Sequence, residues 1–259
     1  MNKISAGIKR ILPDKLSVPD FVLYVFVVLS CYVLFQQTDL FHTSSTSYAY
    51  LNGHIADFYA YNNKILPGWE YYLPLIYILF AIWNTPLRLL GLTHDVARTG
   101  ISLSLMELAW TKLLIVIFYF ATAYIIFLIA KSISGQPQKA RYVALIFATS
   151  PIAIFGAVMM GEYDIIGVFF TMLGFYFYVK HDYLKFSLFF SLAISFKMFP
   201  FVIFIPLLLL VEKRILHLLK YGVIAVAATL LRDEAKFGPR RWLRTKRLPT
   251  RTPMTQSKR

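Results

Sequence analysis

Cysteine is almost absent from this sequence of 259 residues: Cys31 stands alone. One cysteine excludes a disulfide framework within the chain and leaves its redox compartment open. Charge is scarce too. Asp, Glu, Lys and Arg make up 15% of residues, against roughly 25% in soluble domains. Hydrophobic residues reach 58%, and mean hydropathy is +0.60. Also missing are a Gly-rich phosphate loop, a Gly-x-Ser-x-Gly element and paired cysteines at metal-ligand spacing. Those absences count against an ATPase, a serine hydrolase and a metalloprotease.

What is present is apolar sequence gathered in runs. Residues 21–35 and 113–130 carry no charged side chain. A run of about 18 apolar residues can cross roughly 30 Å of hydrocarbon. Hydrophobic segments fall at 21–36, 72–91, 110–130, 142–160, 164–179, 186–196, 199–211 and 216–231. The pattern predicts an all-α, polytopic helical membrane protein with about 7–8 hydrophobic segments and no soluble domain. A large first outer loop is expected over about 37–108. It is rich in Tyr, Ser, Asn, His and Asp, too aromatic to read as disordered.

Two features of the first segment bear on processing. Val28-Leu29-Ser30-Cys31 has a faint likeness to a lipid-attachment box, but the apolar run continues to Phe35. Lys3, Lys9, Arg10 and Lys15 resemble a signal-peptide start. No small-x-small site follows, so an uncleaved first helix is expected.

Net charge is +14, but residues 232–259 hold ten Lys or Arg against Asp233 and Glu234, a net +8. The basic balance is mostly a property of that tail. It is no nucleic-acid footprint, and no nucleic-acid partner is expected.

Short loops with Lys or Arg tend to stay cytoplasmic. The N-terminus, Lys131 with Lys139 and Arg141, Lys180 with Lys185, and Lys213 with Arg214 and Lys220 therefore share one side. A multi-pass protein with a cytoplasmic N-terminus, expected in a bacterial cell membrane, follows from that sorting. Asp39, the Gly161-Glu162-Tyr163-Asp164 turn and Lys197-Met198-Phe199-Pro200 fall on the opposite side. Segment 72–91 holds Pro74 and Pro86 and must then cross an even number of times. It reads as a re-entrant or juxtamembrane helix, or as a crossing completed by a short return over 97–109.

A charge at the bilayer centre costs at least roughly 2.5–3.5 kcal/mol, so ionisable residues there are candidates for function. Asp39 follows the first helix by two or three residues, with His42 one turn on if the helix continues. It is a general base, a cation ligand or a plain interfacial acid. Glu162 and Asp164 place two acids between apolar helices. They line a sugar or metal site, or Asp164 is only the N-cap of the next helix. Lys197 breaks the apolar stretch 186–211, and Pro200 disfavours helix at Phe199. It either snorkels or pairs with an anion such as phosphate. Asp57, His54 and the loop tyrosines Tyr48, Tyr50, Tyr59, Tyr61, Tyr71 and Tyr72 suit an interfacial belt or a sugar platform. His42 and His54 match no zinc spacing.

These pieces, taken in order, resemble the GT-C superfamily of membrane glycosyltransferases, including the polyprenol- and dolichol-phosphate-sugar-dependent mannosyltransferases. Thr38-Asp39 follows the first helix, then Ser47-Tyr48-Ala49-Tyr50-Leu51 and Asp57-Phe58-Tyr59. Tyr71-Tyr72-Leu73-Pro74-Leu75 looks like the family's Tyr-Pro-Pro-Leu element. Ser150-Pro151, the 161–164 turn and Phe196-Lys197-Met198-Phe199-Pro200 complete the series; the last resembles the family's Phe-Lys-aromatic-Pro signature. The likeness covers about 15–220. A tandem Asp-x-Asp is missing and only one Pro stands in the Pro-Leu element, which leaves dependence on a divalent metal open.

The resemblance implies transfer of a sugar from a lipid-phosphate-linked donor to a lipid-linked or glycan acceptor of the cell envelope, on the extracytoplasmic face. It implies Asp39 as general base, with His42, His54, Asp57, Glu162 and Asp164 around the substrates and Lys197 at the donor phosphate. A transporter or flippase of envelope precursors, or a non-catalytic envelope-assembly subunit, is the rival. Broken helices and intramembrane charge suit a transporter as well.

Family members usually have more helices, and residues 232–259 carry no membrane or helical pattern. The tail reads as non-native to the fold, from a truncated or frameshifted product, or as a basic segment for anionic lipid.

Overall fold

The computed structural model describes residues 18–35, 38–65, 72–93, 104–213 and 215–230. The described chain is all-helical, with no strand among these residues. Its helices are α1 (Val18–Leu34), α2 (Thr38–Leu51), α3 (Phe58–Ile65), α4 (Pro74–Leu89), α5 (Leu105–Ser134) and α6 (Pro137–Ala148). There follow α7 (Pro151–Ala153) running into a π-helix over Ile154–Met159, then α8 (Asp164–Val179), α9 (Tyr183–Phe196), α10 (Phe199–Val211) and α11 (Ile215–Leu230).

Helix α5 organises the rest. Its start is set by a capping box: the Glu107 amide donates to Ser104 Oγ at 3.2 Å, and the Ser104 amide donates to Glu107 Oε2 at 2.7 Å. Its end is Gly135, left-handed at φ +65°, where a side chain would be strained. Between them lie 30 residues, about 45 Å at 1.5 Å per residue. Among the described residues this is the one helix long and apolar enough to cross a membrane, or one of three if each bent pair counts as a single span. The bent pairs are α1 with α2, at 64°, and α6 with the α7 and π-helix segment, at 50°. Helices α4, α8, α9, α10 and the apolar part of α11 are shorter. The outer surface is apolar: Phe21, Leu23, Phe26 and Val33 of α1 and Val202 and Leu210 of α10 are all exposed. Such a surface suits lipid rather than water.

Two expected segments are drawn differently by the structure. The run 142–160 is two helices, because Pro151 cannot continue a helix and biases Ser150 to the extended form it adopts (ψ 125°). The region read as an outer loop, 37–108, contains α2, α3 and α4. Hydropathy passed over α2 because its middle is polar and buried on every side. Thr43, Ser44, Ser45, Thr46 and Ser47 are all nearly inaccessible. Ser44 sits in a directional chain: Asn84 Nδ2 of α4 donates to Ser44 Oγ at 3.0 Å, which lies 2.9 Å from Thr111 Oγ1 of α5. The Thr111 hydroxyl in turn donates to the Glu107 carbonyl at 2.8 Å. With its own proton spent there, Thr111 takes Ser44's. A reciprocal pair clasps α4 to α5: Trp83 and Trp110 stack at 4.8 Å and each indole donates to the other's carbonyl, at 2.8 and 2.9 Å.

The helices that follow pack on two cores. Ile76, Phe80, Ile115, Tyr119, Val158 and Ile166 lie in one; Phe186, Phe190, Phe204 and Leu208 form the centre of the other. Helices α8 and α9 approach closely at Gly174, where an added Cβ would stand 2.6 Å from Phe190 Cδ2. The basic N-terminal residues, Arg214, Tyr71 and the 232–259 tail lie outside the described residues.

Candidate active site

Asp39 lies in the first turn of α2, not in a loop after α1. A carboxylate there is favoured by the free amide groups and dipole of the helix start. The Tyr72 hydroxyl, at the entry to α4, points to Asp39 from 3.4 and 3.5 Å, the outer limit of a hydrogen bond. The Tyr72 ring meets Tyr163 edge-on at 5.2 Å. Tyr163 is buried. Burial above all, then its hydrogen bond with Tyr72 and the charge of Asp39, push its phenol pKa up; a hydrogen bond from Thr43 acts the other way. Tyr163 therefore stays a neutral hydroxyl wedged between α2 and the head of α8.

The turn that carries Tyr163 is pinned onto α2 by Gly161. Its φ is +68°, and a Cβ there would stand 2.8 Å from Leu40 Cδ2. Leu40 is Asp39's neighbour, so the turn and the acid are fixed to each other. Tyr163 is the N-cap of α8 and Asp164 the first helical residue, so Asp164 does not cap the helix. Its carboxylate instead accepts from Lys197 Nζ, with both oxygens at 2.5 Å. Lys197 is extended (φ −153°, ψ 142°) at the end of α9. Helix resumes at Phe199 with Pro200 just inside it, so Phe199 is helical after all. Proline is tolerated in a first turn, where its missing N–H has no partner to lose.

Asp39, Tyr72 and Tyr163 thus form one chain of contacts, and Asp164 with Lys197 a second that adjoins it through the Tyr163–Asp164 peptide bond. Glu162 is half-buried within the same turn; its amide donates to the Gly156 carbonyl at 2.9 Å. His42 stands one turn beyond Asp39 on α2. His54 and Asp57 form a separate group in the α2–α3 connection, with Nδ1 3.1 Å from Asp57 Oδ1 and the imidazole stacked on Tyr61 at 3.6 Å.

Among the described residues no three His, Cys, Asp or Glu side chains converge as a metal site. The side-chain hydroxyl that meets the Asp39 carboxylate is the Tyr72 phenol.

Sequence reasoning missed two buried charges behind this group. Lys112 is 3% exposed, and its ammonium donates to the carbonyls of Cys31, Tyr32 and Phe35 at 3.0, 3.0 and 2.7 Å. It holds the end of α1, and its stem would lie 3.7 Å from a Cβ on Gly161. Glu107 is fully buried and accepts from the Tyr48 hydroxyl at 3.0 Å. The available signal was an acid and a base five residues apart at the head of the longest apolar run.

Comparison of this chain with protein-family models, curated proteins and solved structures finds no match.

Proposed function

We propose that this chain is a multi-pass membrane glycosyltransferase of the GT-C kind. It moves a sugar from a polyprenyl-phosphate donor to a lipid-linked or cell-envelope acceptor on the extracytoplasmic face. One observation carries this: Asp39, through Tyr72 and Tyr163, and Lys197, through Asp164, are both tied to the one turn at 161–164. A base and a phosphate-binding cation are the two charges an inverting transfer from a sugar phosphate requires.

Helix directions support the sidedness. Helix α8 starts at Asp164 and ends at Lys180, and α9 starts beside Lys185 and ends at Lys197. Helix α5 runs from the Lys112 end to Lys131, roughly 28 Å along the axis at 1.5 Å per residue. The basic loops therefore gather at the end away from Asp39. Positive residues prefer the cytoplasm, so the Asp39 end faces out.

In the reaction, the acceptor hydroxyl oxygen attacks the anomeric carbon while Asp39 takes its proton. The bond from that carbon to the phosphate oxygen breaks, and polyprenyl phosphate leaves with the electron pair. Lys197, turned from Asp164 to the phosphate, offsets the charge gained by the leaving group. Tyr72 orients Asp39, and the tyrosines beside it offer faces for a sugar ring.

The test is sugar transfer by the purified full chain from polyprenyl-phosphate sugars in lipid vesicles. Asp39→Ala is expected to lower the rate by about 10²–10⁴-fold, the usual scale for a lost general base. Transfer unaffected by Asp39→Ala removes the assigned base. Movement of the intact donor across the bilayer without transfer overturns the enzyme reading in favour of a flippase.

A further inference from the structure

Toward the Lys131 end of α5, an apolar crevice of about 350 Å³ opens between α5, α6, α8, α9 and α10. Ala130 and Ile133 of α5, Val143 of α6, Thr171 and Phe175 of α8 and Ile203 of α10 line it. Thr171 brings no polar edge, because its hydroxyl donates to the Gly167 carbonyl at 2.8 Å within its own helix. The crevice therefore has nothing with which to recognise a polar ligand. It is open outward, since Ile133, Val143 and Ile203 are all exposed. It lies in the size range of ligand pockets, roughly 300–1,000 Å³.

One end of the crevice is basic. Lys139 lies one helical turn before Val143 and so on the same flank of α6. Lys131 adjoins Ala130; both lysines are exposed, and no acid stands between 131 and 143. Asp182, on the α8–α9 turn at this same end, is already engaged by Lys185 at 2.8 Å. The charge is thus uncompensated where the apolar lining stops.

We propose that the crevice binds one acyl chain of an anionic glycerophospholipid, whose phosphate is held by Lys139 with Lys131. An apolar slot continuous with a cluster of cations matches a molecule that is apolar along its length and anionic at its head. A zwitterionic lipid satisfies the slot and not the charge. The site is independent of the proposed transfer chemistry, which is read by a separate assay.

The experiment is native mass spectrometry of the full chain with added phosphatidylglycerol or phosphatidylcholine of identical acyl chains. Phosphatidylglycerol is expected to be retained in preference, as a single bound copy. Lys139→Ala should weaken that retention about fivefold, the effect of one basic residue at a lipid surface. Ala130→Phe fills the slot and should abolish retention of both lipids. Because Lys139 is exposed, its replacement leaves the fold intact even if the bulkier variant does not fold. Equal retention of the two lipids by the native chain, or of phosphatidylglycerol by native and Lys139→Ala protein, overturns the proposal. So does unchanged retention in a folded Ala130→Phe variant.

Discussion

Lys112 Nζ stands 2.7 Å from the Phe35 carbonyl oxygen, so a cation near the head of α5 closes the end of α1. The last four carbonyls of a helix have no partner within it, and a buried helix end needs an outside donor. Here one ammonium serves the carbonyls of Cys31, Tyr32 and Phe35 at that end. The same side chain backs Gly161, so it also supports the turn that faces Asp39.

Removing that ammonium should therefore destabilise the protein. Lys112→Met keeps the bulk of the stem and leaves the carbonyls of Cys31, Tyr32 and Phe35 without their donor. The expected loss is about 2–3 kcal/mol, the scale for buried polar groups stripped of a charged partner. Thermal unfolding in detergent, followed by tryptophan fluorescence, reads it. A variant that melts with the native protein would show that the contact contributes nothing.

The pair formed by Lys197 and Asp164 should behave in the opposite way. Their side chains are 43% and 37% exposed, so solvent screens them. Such pairs contribute roughly 0–1 kcal/mol to stability. Lys197→Met is expected to leave the melting temperature near the native value and to lower sugar transfer by about 10–10²-fold, with most of the change in KM for the donor. A large fall in stability with normal transfer would make Lys197 a structural residue.

How far these contacts were legible in the sequence differs by kind. Helices α8, α9 and α10 appear within a few residues of the apolar runs, because turn residues such as Gly161, Asp182 and Lys197 punctuate them. Helix α2 was hidden. Its buried middle is Thr and Ser, with Ser44 held by Asn84 and Thr111, and hydropathy scores hydrogen-bonded polar residues as solvent-facing. Lys197 and Asp164 were both visible as charges between apolar segments, yet their pairing depends on two helix ends meeting. The same holds for Tyr72, which reads as one of many loop tyrosines until α4 brings it to Asp39. Lys112 and Glu107 were obscured by the strength of the apolar run they precede.

Tyr163 predicts a dependence on alkaline pH. Its phenol pKa is raised in the folded protein, mainly by burial. A folded value above the unfolded one, about 10 for tyrosine, means that the folded state holds the proton more tightly. The stability this contributes is complete below about pH 10 and is lost as pH rises towards the folded value. Tyr163→Phe removes the group, so its melting temperature should fall less steeply above pH 10 than the native protein's. Parallel curves for the two proteins would contradict the buried phenol.

Gly161 offers the sharpest test of the link between the turn and Asp39. At φ +68° any other residue is strained, and a methyl group would meet Leu40 Cδ2 at 2.8 Å. Leu40 is itself only 2% exposed, so it has little room to yield. Gly161→Ala should cost about 1–3 kcal/mol from backbone strain and overpacking together. The push acts on the residue next to Asp39 and on the turn that carries Tyr163 and Asp164. If those groups work as one site, transfer should fall further than the melting temperature alone accounts for, even well below the unfolding range. Assaying transfer at a temperature where the variant is fully folded separates the two. A variant that is less stable but transfers at the native rate when folded would show that the spacing between α2 and the turn is not critical to the chemistry.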